Sequence, residues 1–371
     1  MTSATAPTGT AGLFDPISLR SLQLTHRGWV AAMCQYSCDP ALAPGVPTDW
    51  HLVHLGQFAT GGAALIITEA AAVSHEGMIS PRDAGIYTRE QADAWRRIND
   101  FVHEHSAVGT KTAVQLAHAG RKASTYWPFS GKHGSVPESE GGWQTSGPTD
   151  EAFGAYAAPR AMSEEDIEKV IRDFGAAAVL AVDAGFDTIE IHGAHGYLLH
   201  QFLSPLVNTR NDGWGGSEEA RFRMTLEVIR HVRRIIPESM PLLLRISASD
   251  WTEGGLDGGA SARLAKCAAE EGVDLVDVSS GGAVPSASIP VGPGYQVALA
   301  EEVRSSGVPT GAVGLIRDAT QADEVIRNER ADVVLIARAA LRDPHWWMRA
   351  ADELGQDLIS APQYERAGPY Y

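Results

Sequence analysis

The stretch T188-I189-E190-I191-H192-G193-A194-H195-G196-Y197 decides how the rest of the chain reads. Its first half alternates apolar β-branched residues with polar ones, the period-2 signature of a strand. Its second half sets two imidazoles and a phenol directly after that strand, with glycines that let the backbone turn so that the rings share one side. Immediately upstream, residues 163–184 carry a helical pattern that opens S163-E164-E165-D166. This resembles a capping box, with serine at the N-cap and Asp in place of the usual Glu. Helix, strand, then a loop loaded with hydrogen-bonding rings is the arrangement of an α/β protein whose chemistry sits at strand ends.

Seven more short runs of the same kind lie outward from this one: 29–33, 64–68, 112–116, 242–246, 275–278, 310–313 and 333–336. With 188–191 they make eight strands separated by helical patterns, which predicts a single-domain (β/α)8 TIM barrel over residues 13–371. An open doubly wound sheet would carry a glycine-rich dinucleotide turn after its first strand. Here that strand runs into M33-C34-Q35-Y36 instead. Residues 119–162, between the third strand and the third helix, form one oversized loop containing Tyr126, Trp127, Phe129 and Trp143. Loops of that length inside compact domains are usually functional, so this one is expected to cover the active site, with 133–150 as its most mobile part.

Bulk properties narrow the function classes. The 371 residues carry a formal net charge of −16, which excludes a phosphate-backbone partner held by clustered Lys and Arg. No apolar run approaches the roughly 20 residues needed to span a bilayer. The opening MTSATAPTGTAG lacks the basic and apolar regions of a signal peptide, so residues 1–12 read as a disordered lead. Three cysteines, Cys34, Cys38 and Cys267, without a secretion signal point to a reducing compartment, and a cytoplasmic location is expected.

The strand ends supply the functional census: Cys34 and Tyr36, Glu69 and Ala70, Gln115 and His118, His192 with His195 and Tyr197, Arg245, 279–282, Gly314 and Arg338. Glycosidase chemistry wants two facing carboxylates, and only Glu69 and Asp250 are candidates. Schiff-base chemistry wants a strand-end lysine; of five lysines only Lys122 lies near one, and it is in the long loop. A zinc site could start from His192 and His195, with His118 as a third ligand, or from Cys34 and Cys38, but no carboxylate completes the shell. No metal is expected. The ends of strands seven and eight, T310-G311-A312-V313-G314 and A337-R338, have the position of the common barrel phosphate site. Gln115 offers both donor and acceptor, as a pyrimidine ring with amide groups demands. Arg245 would stabilise negative charge on a reduced flavin, or else form an inward ion pair within the barrel.

From Leu13 to Arg366 the chain resembles the old yellow enzyme family of FMN-dependent ene-reductases, in particular its bacterial thermophilic-like subgroup. The resemblance is carried by AAMCQYSC, LIITEAAAV, QLAHAGRKA, GFDTIEIHGAHGYLLHQFLSPLVNTRNDGWGGSEEARFR, LLLRISASDW, TGAVG and QYER. It implies non-covalent FMN, reduced by NADPH or NADH and oxidised by an activated alkene. Ala31, Ala32, Met33, Cys34 and Ala70 would line the isoalloxazine, with Gln115 and Arg245 on its pyrimidine side and Gly314, Ala337 and Arg338 around the phosphate. His192 and His195 would bind the substrate carbonyl, Tyr197 would deliver a proton, and Tyr36 would hydrogen-bond the substrate. Cys34 would tune the redox potential. Arg366 would reach a neighbouring subunit's site from a tail spanning 360–371, which implies a homodimer or homotetramer. Ala32 stands where the family commonly has proline, and Ala337 where it commonly has glycine. A dienoyl-CoA reductase of the same barrel type would need an iron–sulfur cluster, and three cysteines do not supply its four thiolates. A flavin-storage protein would have no use for the His192, His195 and Tyr197 set.

Overall fold

The computed structural model describes residues 10–106, 108–359 and 361–367. Eight parallel strands close into a barrel: β1 (Gly28–Val30), β2 (Leu65–Ala72), β3 (Lys111–Ala117), β4 (Thr188–Gly193), β5 (Leu242–Ser247), β6 (Leu275–Ser279), β7 (Thr310–Ala312) and β8 (Val333–Ile336). Each neighbours the next in sequence, and β8 closes on β1. All eight correspond to the runs read from the sequence. The first is shorter than expected, so Met33 and Cys34 lie in the loop beyond it, while β2 extends to Ala72 through a bulge between Ile67 and Ala70.

Side-chain alternation builds two cores. Ile189, Ile191, Leu244, Ile246, Val276 and Val278 join the large cluster under the surrounding helices. Leu65, Ile67, Leu243, Leu275 and Leu335 form a second cluster. That second cluster includes Leu19, Leu22 and Leu24 from an antiparallel hairpin, Ile17–Leu19 with Leu22–Leu24, ahead of the barrel. These two strands have no helical pattern between them, so they fall outside the strand–helix alternation that marks the barrel, and the sequence gives no sign of the hairpin. Ala11 and Gly12, assigned above to the lead, already pack against the barrel: the Gly12 amide donates to Asp15 and the Leu13 amide to Asp323. Residues 1–9 lie outside the described residues.

The helix at Glu164–Asp183 starts where expected: Ser163 accepts from the Asp166 amide, and the Asp166 carboxylate accepts from the Ser163 amide. Thr48, Thr88, Ser217, Asp257 and Asp318 cap other helices through side-chain oxygens, each such cap being worth about 1 kcal/mol. The 119–162 loop is not free of structure. It contains single turns at Gly120–Lys122 and Glu138–Glu140 and a short parallel pairing of Ser146–Gly147 with Arg160–Ala161. Among the described residues no helix is long and apolar enough to cross a membrane.

Candidate active site

His192 occupies an inward position near the end of β4 and is 3% exposed. After Gly193 the chain turns through two left-handed residues, His195 at φ 60° and Gly196 at φ 72°. A Cβ on Gly196 would lie 1.9 Å from the Gly282 carbonyl oxygen, so only glycine fits where this turn crosses the loop after β6. The crossing delivers Tyr197 as the first residue before a short helix, Leu198–Leu203. The His192 ring centroid is then 5.1 Å from that of His195 and 5.2 Å from that of Tyr197, both edge-on. His195 Nε2 lies 2.8 Å from Ser279 Oγ, and the His195 amide donates to Ser247 Oγ. Burial, reinforced by Arg245, pushes both imidazoles well below the usual histidine range, so both are neutral at pH 7. Burial pushes the Tyr197 phenol well above its ordinary value, and it keeps its proton.

Tyr36 (φ 52°), Cys34 and Tyr197 pack on a small apolar cluster that includes Ala70 and Ile79, and these make the facing wall. Burial, with Glu69 and Asp83 nearby, pushes the Cys34 thiol up, so it is no thiolate nucleophile. Glu69 is occupied in holding this wall: it accepts from the Gln35 amide at 3.1 Å and lies 3.1 Å from His51 Nε2. Asp250 is likewise committed, to His200 at 2.9 Å and Ser204 at 2.7 Å. Neither carboxylate faces a partner acid across the mouth. Lys122 braces the β4 turn, its Nζ donating to the carbonyls of His195 (2.7 Å) and Gly282 (3.3 Å). Burial, then Arg121, pushes this amine down to about 8. The long loop borders the same space: Tyr126, Trp127, His133 and Tyr156 line a cavity of about 880 Å³ with Tyr36 and Tyr197. Among the described residues no three His, Cys, Asp or Glu side chains group to hold a metal.

A second cleft, about 650 Å³, opens at the ends of β5 to β8 and is lined by Arg245, Ser279, Tyr295, Gly314, Ala337 and Arg338. Gly314 has φ 124°, and a Cβ there would sit 3.0 Å from Gln296 Nε2 and 3.2 Å from the Tyr295 ring, so glycine keeps the backbone open. Arg317, Arg338 and Arg342 all line this cleft. None of the three enters an ion pair among the described residues. Three guanidinium groups without a counter-charge around an open backbone fit a doubly charged phosphate.

Beneath the mouth lies a polar group that sequence reading missed. Gln115 Nε2 donates to Glu190 Oε1 at 2.7 Å, and Arg245 Nε lies 3.1 Å from Asp277 Oδ2. Glu190 and Asp277 are both 0% exposed. Their signal was present, because an acid on the inward phase of a period-2 strand has nowhere to go but the barrel interior. Arg245 therefore does both things foreseen for it: it forms an inward ion pair and borders the cleft. The Ala31 amide donates to Ile336 at 3.1 Å and closes the barrel. Arg366 is exposed in the turn Pro362–Ala367 and borders neither cavity of its own chain. Ser360 and residues 368–371 lie outside the described residues.

Residues 12–357 match the NADH:flavin oxidoreductase / NADH oxidase family. The chain is 44% identical to the NADPH dehydrogenase of Geobacillus sp. (strain WCH70) over 95% of its own length and 98% of the relative's. It superposes on morphinone reductase with a TM-score of 0.76 at 26% identity, covering 96% of this chain and 94% of that one. It also superposes on 2-naphthoyl-CoA reductase with a TM-score of 0.81 at 24% identity, covering 94% of this chain but only 53% of that longer one. The chain belongs to the NADH:flavin oxidoreductase / NADH oxidase family and is an FMN-binding, NAD(P)H-dependent flavin oxidoreductase of the old yellow enzyme type.

Proposed function

We propose that this oxidoreductase is an ene-reductase, reducing the C=C bond of α,β-unsaturated ketones, aldehydes, nitroalkenes or maleimides. FMN, when bound, would supply the two-electron hydride chemistry that links NAD(P)H to the alkene β-carbon. The single observation that carries the reading is the set of three neutral rings, His192, His195 and Tyr197, gathered at the end of β4.

Hydride arriving at Cβ leaves negative charge on the substrate's carbonyl oxygen, and two N–H donors aimed at it lower the barrier. His195 can donate only if its proton is on Nδ1, which requires Ser279 to donate to Nε2. The 2.8 Å His195–Ser279 contact, against 3.4 Å from Ser279 to Gln296, favours that arrangement. Tyr197, protonated across the working pH range, hands its proton to Cα. In the same reading Tyr36 holds the substrate from the facing wall and Cys34, as a thiol, tunes the cofactor. Ala32, Met33 and Ala70 line the ring through backbone groups, Gln115 and Arg245 hold its pyrimidine edge, and Gly314, Ala337 and Arg338 hold the phosphate. Arg366 serves a neighbouring subunit of a dimer or tetramer.

The purified protein is expected to show flavin absorbance that bleaches with NADPH in the absence of oxygen and returns on addition of 2-cyclohexenone. Bleaching without any return across an enone, enal, nitroalkene and maleimide set refutes ene-reduction while leaving the flavin assignment standing.

A further inference from the structure

The barrel floor holds two carboxylates, one guanidinium and one amide, on four adjacent strands. Gln115 pairs in register with Glu190, and Arg245 with Asp277. Arg245 compensates one negative charge, and among the described residues no other cation acts on either carboxylate. Glu190 Oε2 and Asp277 Oδ1 are buried with no hydrogen-bond partner. Asp277 Oδ2, though 3.1 Å from Arg245 Nε, likewise has no hydrogen bond, and one proton removes the surplus negative charge that these buried oxygens would carry.

We propose that at neutral pH Glu190 is protonated while Asp277 is ionised beside Arg245, and that Glu190 is the positioning residue that sets the Gln115 amide for FMN. With one Gln115 N–H committed to Glu190, its carbonyl oxygen and its other N–H form a fixed acceptor–donor pair for the ring's pyrimidine edge. The proton resides on Glu190: burial, then Asp277, pushes this carboxyl up to about 8, with Arg245 and Gln115 opposing only in part. Asp277, raised by burial but adjacent to Arg245, carries the charge. The groups facing Glu190 are thus Asp277 on β6, Arg245 on β5 and Gln115 on β3, with neutral His192 on its own strand. The raised value makes the sign plain. FMN is held most tightly below pH 8 and less tightly as pH rises through it: ionised Glu190 still accepts from Gln115, but a second negative charge then stands beneath the ring.

The inference rests on the placement of Gln115 against the cofactor, so the experiment separates the two. FMN release from diluted holoenzyme is followed by the rise in flavin fluorescence between pH 6.5 and 9.5. The wild type is expected to release FMN about tenfold faster at the top of this range, with the transition centred near pH 8. Glu190→Gln, an uncharged mimic of the acid, is expected to stay at the slow wild-type rate throughout, and Glu190→Ala to be fast throughout. A Glu190→Gln profile that rises like wild type, or starts as fast as Glu190→Ala, overturns the inference; if the alanine variant does not fold, the glutamine profile decides alone. Gln115→Ala is expected to release FMN rapidly at pH 6.5. Slow release from it overturns the placement of Gln115 and the inference with it, whereas a fast Gln115→Ala beside a flat wild-type profile overturns only the inference.

Discussion

Gly196→Ala tests whether the β4 turn is what assembles the three rings. The added Cβ would start 1.9 Å from the Gly282 oxygen, and real Cβ atoms essentially never approach a heavy atom closer than 3.0 Å. The two loops must therefore separate by at least 3.0 − 1.9 = 1.1 Å. An L-residue at φ 72° adds about 1–2 kcal/mol of its own, and prising apart a packed backbone contact about 1–3 kcal/mol more. Gly185→Ala is the control: its φ is 82° but a Cβ there meets nothing within 4 Å, so it carries the conformational cost without the clash. A displacement on the order of 1 Å in a positioned catalytic group costs roughly 100-fold in rate. His195 and Tyr197 flank Gly196, whereas the phosphate cleft is built from other strands. Anaerobic stopped-flow should therefore show the oxidative half-reaction of Gly196→Ala with 2-cyclohexenone slowed roughly 100-fold, with reduction by NADPH changed far less. Chemical denaturation should place Gly196→Ala below Gly185→Ala in stability. Equal stability and equal oxidative rates in the two variants would refute the crossing as the device that aims the rings.

Two further substitutions separate the proton from the phosphate. Tyr197→Phe is expected to slow the oxidative half-reaction by about 100- to 10,000-fold, the usual worth of a positioned general acid, and to leave flavin reduction nearly intact; equal losses in both halves, read by the same stopped-flow traces, would remove Tyr197 from proton delivery. Arg338→Ala removes one of three uncompensated guanidinium groups from the cleft and is expected to weaken FMN about 10- to 100-fold, the worth of one charge-assisted hydrogen bond. A fluorescence titration showing unchanged affinity at low salt would place the phosphate elsewhere.

The barrel was legible because its apolar runs alternate with capped helices: the Ser163–Asp166 box is visible in four letters and present in the fold. Elements without a period were not legible. The Ile17–Leu19 and Leu22–Leu24 strands offer three residues each, and their apolar positions look like any loop that happens to contain leucine. The site divided in the same way. His192, His195 and Tyr197 could be read together because one short stretch carries all three. That β8 takes the Ala31 amide is a matter of barrel closure that no single strand announces, and Glu69 and Asp250 looked like spare acids until His51 and His200 were seen beside them.

Why the mouth carries neutral donors while the floor carries charge follows from where charge changes hands. A protonated imidazole beside the substrate oxygen would hold the oxyanion more tightly, but it would also repel Arg245, which the same oxidation cycle needs as a fixed cation. Burial settles the conflict by keeping both imidazoles and the phenol uncharged. Each then acts through a hydrogen bond, whose strength grows as negative charge develops on its acceptor and fades as the product forms. A fixed charge at the mouth would bind substrate and product alike. On the proposed function, the paired charge of Arg245 and Asp277, 3.1 Å apart below the three rings, acts on the cofactor and not on the alkene. Substrate turnover and electron storage are thereby governed by different side chains, so a substitution at Tyr197 and one at Glu190 should combine additively in log rate, while Tyr197 and His192, in edge contact at 5.2 Å, should not.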